Sequence, residues 1–84
     1  MPDVSVLGYL DMETCIYLSL FALHTQLSFS KLERITSDNK GEILDRLMFL
    51  KRTGLIDELP DGIYEINRYT YPHVLNKLQE RELI

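Results

Sequence analysis

Residues 47–56 read Leu47-Met48-Phe49-Leu50-Lys51-Arg52-Thr53-Gly54-Leu55-Ile56, and a change of pattern inside this stretch decides the architecture. Ile43, Leu47 and Leu50 recur at i, i+4 and i+7, the spacing that gathers apolar side chains on one face of an α-helix, with Leu44 and Met48 flanking that stripe. Lys51 and Arg52 stand in what would be the last turn, where unpaired carbonyls favour cations. Gly54 follows, the residue type that accepts the positive φ needed to end a helix. Beyond it the apolar period becomes alternating. The stretch therefore describes a helix that stops, reverses through glycine and feeds an apolar strand back onto the core.

Downstream, Leu55-Ile56-Asp57-Glu58-Leu59 and Ile63-Tyr64-Glu65-Ile66-Asn67 flank Pro60-Asp61-Gly62. Proline presets φ and Asp-Gly accepts positive φ, so these residues predict a β-hairpin. Tyr71 to Leu83 carries Val74, Leu75 and Leu78 at helical spacing, with Pro72 tolerated in the first turn. Upstream, Ser37 and Asp38 are both competent N-caps for the helix that ends at Arg52. Ser30 and Glu33 have capping-box spacing and predict a short helix over Lys31 to Thr36, after an extended Leu27-Ser28-Phe29. Asp11 precedes a longer helix, Met12 to Gln26, with Glu13 in its first turn and Ile16, Leu20, Leu23 and Leu27 as the expected core stripe. The segment from Val4 to Leu10 is apolar and fits either a short strand or a helical turn.

Eighty-four residues suffice for one domain and not for two, and 45% apolar with 26% charged residues is a globular balance. The single cysteine, Cys15, cannot form an internal disulfide, and with only His24 and His73 beside it the chain has no structural metal set. A reducing, cytoplasmic setting is expected. Met1-Pro2-Asp3 has no basic region of the kind that opens a secretory signal, and the apolar run from Ile16 to Leu23 is far shorter than the ~20 residues of a membrane span. No membrane association is expected. No phosphate-cradling glycine loop, nucleophile elbow or His–nucleophile pair is present, so neither an enzyme nor a cofactor is expected. Cys15 reads as a buried inert thiol, His24 as a partner of a helix C-terminus and His73 as an exposed first-turn residue.

The order helix, short strand, short helix, capped helix, hairpin, helix, joined through residues 47–56, resembles the winged helix-turn-helix superfamily over nearly the whole chain. The resemblance implies one α+β, mainly helical domain over 1–84, a winged helix-turn-helix with a three- to four-helix core and a small β-hairpin wing. The helix-turn-helix would span 30–53, the wing 55–67 and the C-terminal helix 71–83. It also implies that residues 39–52 present their outer face to a DNA major groove. The fold serves both DNA binding and protein assembly, so the residues have to choose between them.

Their charges pull in two directions. The net charge is −4, which opposes unselective attraction to phosphates. From Ser28 to Thr53, however, Lys31, Arg34, Lys40, Arg46, Lys51 and Arg52 outnumber Glu33, Asp38, Glu42 and Asp45, leaving this segment alone with a positive balance. Those six cations are the candidate nucleic-acid contacts. A helical wheel centred on Ile43, Leu47 and Leu50 sets Asp38, Glu42, Asp45, Phe49 and Arg52 opposite the core, with Lys40, Arg46 and Lys51 on the flanks. Asp57, Glu58 and Asp61 make the wing acidic and unsuited to a minor groove. Phe49 either packs at the core edge against the hairpin or anchors a protein partner. The stripe of the last helix either packs on the first helix or dimerises through Leu78 and Leu83. Two functions follow: a DNA-binding transcriptional regulator with duplex DNA as partner, or an acidic winged-helix module for protein–protein interaction within a larger assembly.

Overall fold

The computed structural model describes residues 4–84. The Met1-Pro2-Asp3 start lies outside the described residues. A 3₁₀ helix (Val4–Tyr9) leads into α1 (Met12–His24), β1 (Gln26–Ser28), α2 (Phe29–Thr36), α3 (Lys40–Arg52), β2 (Ile56–Glu58), β3 (Ile63–Ile66) and α4 (Tyr71–Glu80). The segment left open between strand and helical turn is thus helical. The three strands form one antiparallel sheet in the order β1-β3-β2, with Leu27 opposite Tyr64 and Ile56 opposite Ile66. Three helices carry the core, and α4 closes it by packing on α1 and on the 3₁₀ helix. The arrangement is the expected winged helix.

Each helix start has a local cause. Asp11 caps α1 by accepting from the Thr14 amide at 2.9 Å, as its position suggested. The other two starts differ from expectation. Ser28, not Ser30, caps α2, because the chain leaves β1 in extended geometry and Ser28 Oγ accepts from the Lys31 amide at 3.1 Å. Ser30 then lies inside the helix, so its capping box with Glu33 does not form. Asn39 caps α3, accepting from the Glu42 amide at 2.9 Å. Of the two residues expected there, Ser37 ends α2 in the left-handed region at φ 60°, and Asp38 is turned to Tyr17.

The end of α3 is as read. Gly54 sits at φ 81°, its amide donates to the Lys51 carbonyl at 3.1 Å, and the Leu55 amide donates back to the Leu50 carbonyl at 3.0 Å. That pair of bonds is a Schellman closure, and the apolar contact that accompanies it is between Leu50 and Leu55, both fully buried. At the wing, the Gly62 amide donates to Leu59 across the turn at 3.2 Å, with Gly62 at φ 73°.

The face α1 buries is not the expected one. Thr14, Cys15, Tyr17, Leu18, Phe21 and Ala22 point inward, whereas Ile16 and Leu23 are 44% and 74% exposed. This helix is apolar on both sides, so spacing alone fits two stripes. The one carrying Tyr17 and Phe21 removes more surface from water, and it takes the core. Cys15 is buried, as expected, and the Arg81 guanidinium donates to its sulfur at 3.0 Å and to the Leu10 carbonyl at 2.9 Å, tying α4 to the start of α1.

Tyr17 reaches across to the α2–α3 connection, its hydroxyl donating to Asp38 Oδ2 at 2.7 Å. Burial, reinforced by this bond, pushes the phenol pKa up to about 12. The neutral phenol is the form the fold favours. Its contribution, up to about 3 kcal/mol, is therefore complete below pH 10 and is lost as pH rises from 10 to about 12. Urea midpoints should fall across that window in the native protein and fall less in Tyr17→Phe. Equal alkaline losses in both proteins would show that Tyr17 titrates normally.

Candidate nucleic-acid interface

Ile43, Leu47 and Leu50 occupy the core, which fixes the rotation of α3 and leaves Lys40, Leu44, Asp45, Met48, Lys51 and Arg52 outward. Lys40 and Arg52 stand at the two ends of the helix, roughly 18 Å apart along its axis. Between them Leu44 and Met48 are 46% and 57% exposed, one turn apart on the same side. The outer face is thus an apolar pair set between terminal cations. Asp45 is exposed on it, and Glu42 lies beside Asn39, whose side-chain amide donates to it.

The six cations fall into three situations. Lys40 and Arg52 are exposed on α3 and make no ion pair among the described residues. Lys31 and Arg34 are exposed on α2 and are similarly unpaired, but they line a groove with His24, Gln26, Ser28 and Ile63, beside β1. Arg46 is half-buried and paired with Glu13 of α1, and Lys51 is paired with Glu58 of the wing at 2.7 Å. The hydrogen bond to Glu58 raises the Lys51 ammonium pKa. Arg46 and Lys51 therefore serve the fold first, stitching α3 to its neighbours on either side. Surface pairs of this kind are weak, so a phosphate can compete for Lys51.

Phe49 is half-buried against the core and lines a hollow with Tyr9, Leu10, Asp11, Thr14 and Arg46. It packs at the core edge, beside the start of α1. The apolar side chains α3 exposes are Leu44 and Met48, which the wheel had set as flanks of the buried stripe. Their signal was present: both fall on the side away from Phe49, and only one such side can be covered. In α4, Leu78 is 1% exposed inside this chain's own core, and Leu83 packs partly against it. The stripe of that helix packs on α1.

In the wing, Glu58 is taken by Lys51 and Asp57 accepts from Asn67 at 3.2 Å, while Asp61 stands exposed at the tip. His73 is exposed in the first turn of α4, and His24 closes the last turn of α1. Among the described residues no group of three or more His, Cys, Asp or Glu side chains is placed to hold a metal ion. Among the described residues no helix is long and apolar enough to cross a membrane.

No family model matches the sequence, and no curated protein matches it. Among solved structures, the reduced form of MarR from E. coli is similar to this chain, with a TM-score of 0.76 over 89% of its length at 18% identity. The chain spans 57% of the MarR chain. At that identity the likeness carries the fold, and it places the helix-turn-helix, sheet and wing described above within a winged-helix architecture.

Proposed function

We propose that this domain is a DNA-binding transcriptional regulator that lays the outer face of α3 in the major groove of duplex DNA. The observation that carries the reading is the pairing state of the cations. In a chain of net charge −4, the helix-turn-helix keeps Lys31, Arg34, Lys40 and Arg52 free of carboxylates among the described residues. An acidic protein that only needed a solvated helix would have carboxylates enough to neutralise them. Phosphates on either side of a groove suit Lys40 and Arg52 at the helix ends, and Leu44 and Met48 between them suit the methyl groups of thymine. The likeness to MarR, a winged-helix transcriptional regulator, supports the reading at the level of the fold. Such a role needs neither catalysis nor a cofactor, and it sets the protein in the cytoplasm.

The second reading, a winged-helix module that binds protein, is favoured by the same exposed pair, Leu44 and Met48, together with the acidic wing. Its anchor would be that pair and not Phe49, which the core already holds. Amide chemical-shift mapping during titration with a duplex separates the two. The DNA reading expects shifts over 40–52, strongest at Lys40, Leu44, Met48 and Arg52, with the tip at Asp61 and Gly62 unmoved. A folded protein whose α3 amides stay in place at saturating duplex would overturn it.

A further inference from the structure

The face of α1 that the core leaves uncovered is as apolar as the face it buries. Met12, Ile16 and Leu23 are 54%, 44% and 74% exposed, and Leu20 beside them is half-buried. Successive residues turn about 100° around a helix, which sets these four within a single arc running the length of α1. A soluble helix ordinarily fills such an arc with polar residues, and one that is apolar all round is ordinarily covered all round. Glu13 and His24 lie on one border of the arc, eleven positions apart, at opposite ends of the helix. Along that border runs a groove of about 350 Å³ between α1 and the end of α2, floored by Ile16, Tyr17, Leu20 and Ile35 and rimmed by the carboxylates of Glu13 and Asp38.

We propose that this face is covered by a second copy of the chain, with the two α1 helices packed antiparallel about a twofold axis. The order of residues along the arc carries the choice of occupant. A twofold axis perpendicular to α1 places Met12 against Leu23 of the second copy and Ile16 against its Leu20, so the apolar arc complements itself end for end. The same operation keeps each border on its own side while reversing its direction. Glu13 of one copy then meets His24 of the other, twice over, and the imidazole enters a groove whose rim is acidic. In a parallel pairing the twofold axis would run along α1 and carry this border to the far side of the seam, so Glu13 and His24 of one copy would lie away from both of those residues in the other. The shared pairing between Glu13 and Arg46 of the same chain leaves room for this contact, since the Glu13 side chain is 69% exposed. One helix face is small beside a standard interface of about 800 Å² per partner, so the association is expected in the micromolar range. None of the outward residues of α3 takes part, and the proposal stands or falls apart from the reading of α3.

Sedimentation velocity without DNA, from about 1 to about 200 µM, is the test. The native chain should pass from monomer to dimer over this range. Ile16→Glu and Leu23→Glu, both at exposed positions, should stay monomeric with unchanged circular dichroism. His24→Glu should weaken the dimer about tenfold by opposing Glu13, and adding Glu13→Lys to it should restore the affinity. A native chain that is monomeric throughout would overturn the proposal, as would a dimer that survives Ile16→Glu. A dimer lost in Ile16→Glu and indifferent to His24→Glu would overturn the antiparallel arrangement.

Discussion

Gly54→Val should destabilise the domain by at least about 2 kcal/mol, seen as a lower urea midpoint at unchanged slope. The native glycine holds φ at 81° while its amide and that of Leu55 close the end of α3. A β-branched residue there crowds its own carbonyl, and relieving the clash means breaking the closure that delivers Leu55 and Ile56 to the core. Both of those side chains are at most 1% exposed, so no rearrangement leaves them in place cheaply. Gly54→Asn should cost much less, because asparagine tolerates the left-handed region. A valine variant as stable as the native protein would mean that the junction does not depend on this conformation.

A second large effect is expected on binding. Removing Lys40 and Arg52 together by alanine substitution should lower duplex affinity on the order of 10- to 100-fold at low salt, and should reduce the slope of log affinity against log salt by about 2. The loss should be alike for all sequences, because contacts from the two helix ends are to phosphate. Alanine at Leu44 or Met48 should act differently, altering preference among sequences with the salt slope intact. A double variant that binds as tightly as the native chain would place the contact surface elsewhere. Neither end of α3 is buried, so the variant should fold normally.

How far the fold was legible depended on which residue ended each helix. At the end of α3 a glycine takes the positive φ, and the junction could be read directly. Three other helix ends use Thr25 at φ 62°, Ser37 at φ 60° and Glu82 at φ 59°, residue types that carry no such signal. For that reason the sequence pattern runs α1 on to Gln26 and α4 on to Leu83, and offers Ser37 as a start for α3 when it ends α2. The Glu82 amide donates to Gln79 at 3.0 Å and the Leu83 amide to Leu78 at 2.9 Å, repeating at α4 the closure that Gly54 makes at α3. A β-branched Thr25 in that region is held by its surroundings: its amide donates to Phe21 at 2.7 Å and its carbonyl accepts from Ile66 at 3.0 Å. Only the packed sheet supplies the second of those bonds.

The site was legible in its residue types more than in its geometry. The positive balance of residues 28–53 could be counted, but not which cations are spent internally. Glu13 and Glu58 lie thirty-three and seven residues from their partners, Arg46 and Lys51, and these pairings exist only once α1 and the wing are in place. A helical wheel sets Phe49 opposite the core because it assumes a core on one side, whereas Phe49 also borders a hollow lined by Tyr9, Leu10, Asp11 and Thr14. The apolar outer face of α1 was invisible for a related reason: with two apolar stripes, its sequence does not say which one the domain keeps for itself.

The measurement that tests the central claim most directly is the affinity of the native chain for a mixed-sequence duplex at low salt, followed as salt is raised. Four cations on α2 and α3 that are unpaired among the described residues predict detectable binding that weakens steeply, with a log–log slope of about −2 to −4 according to how many reach phosphate. No binding at low salt by the folded protein, or binding that salt leaves unchanged, would contradict it.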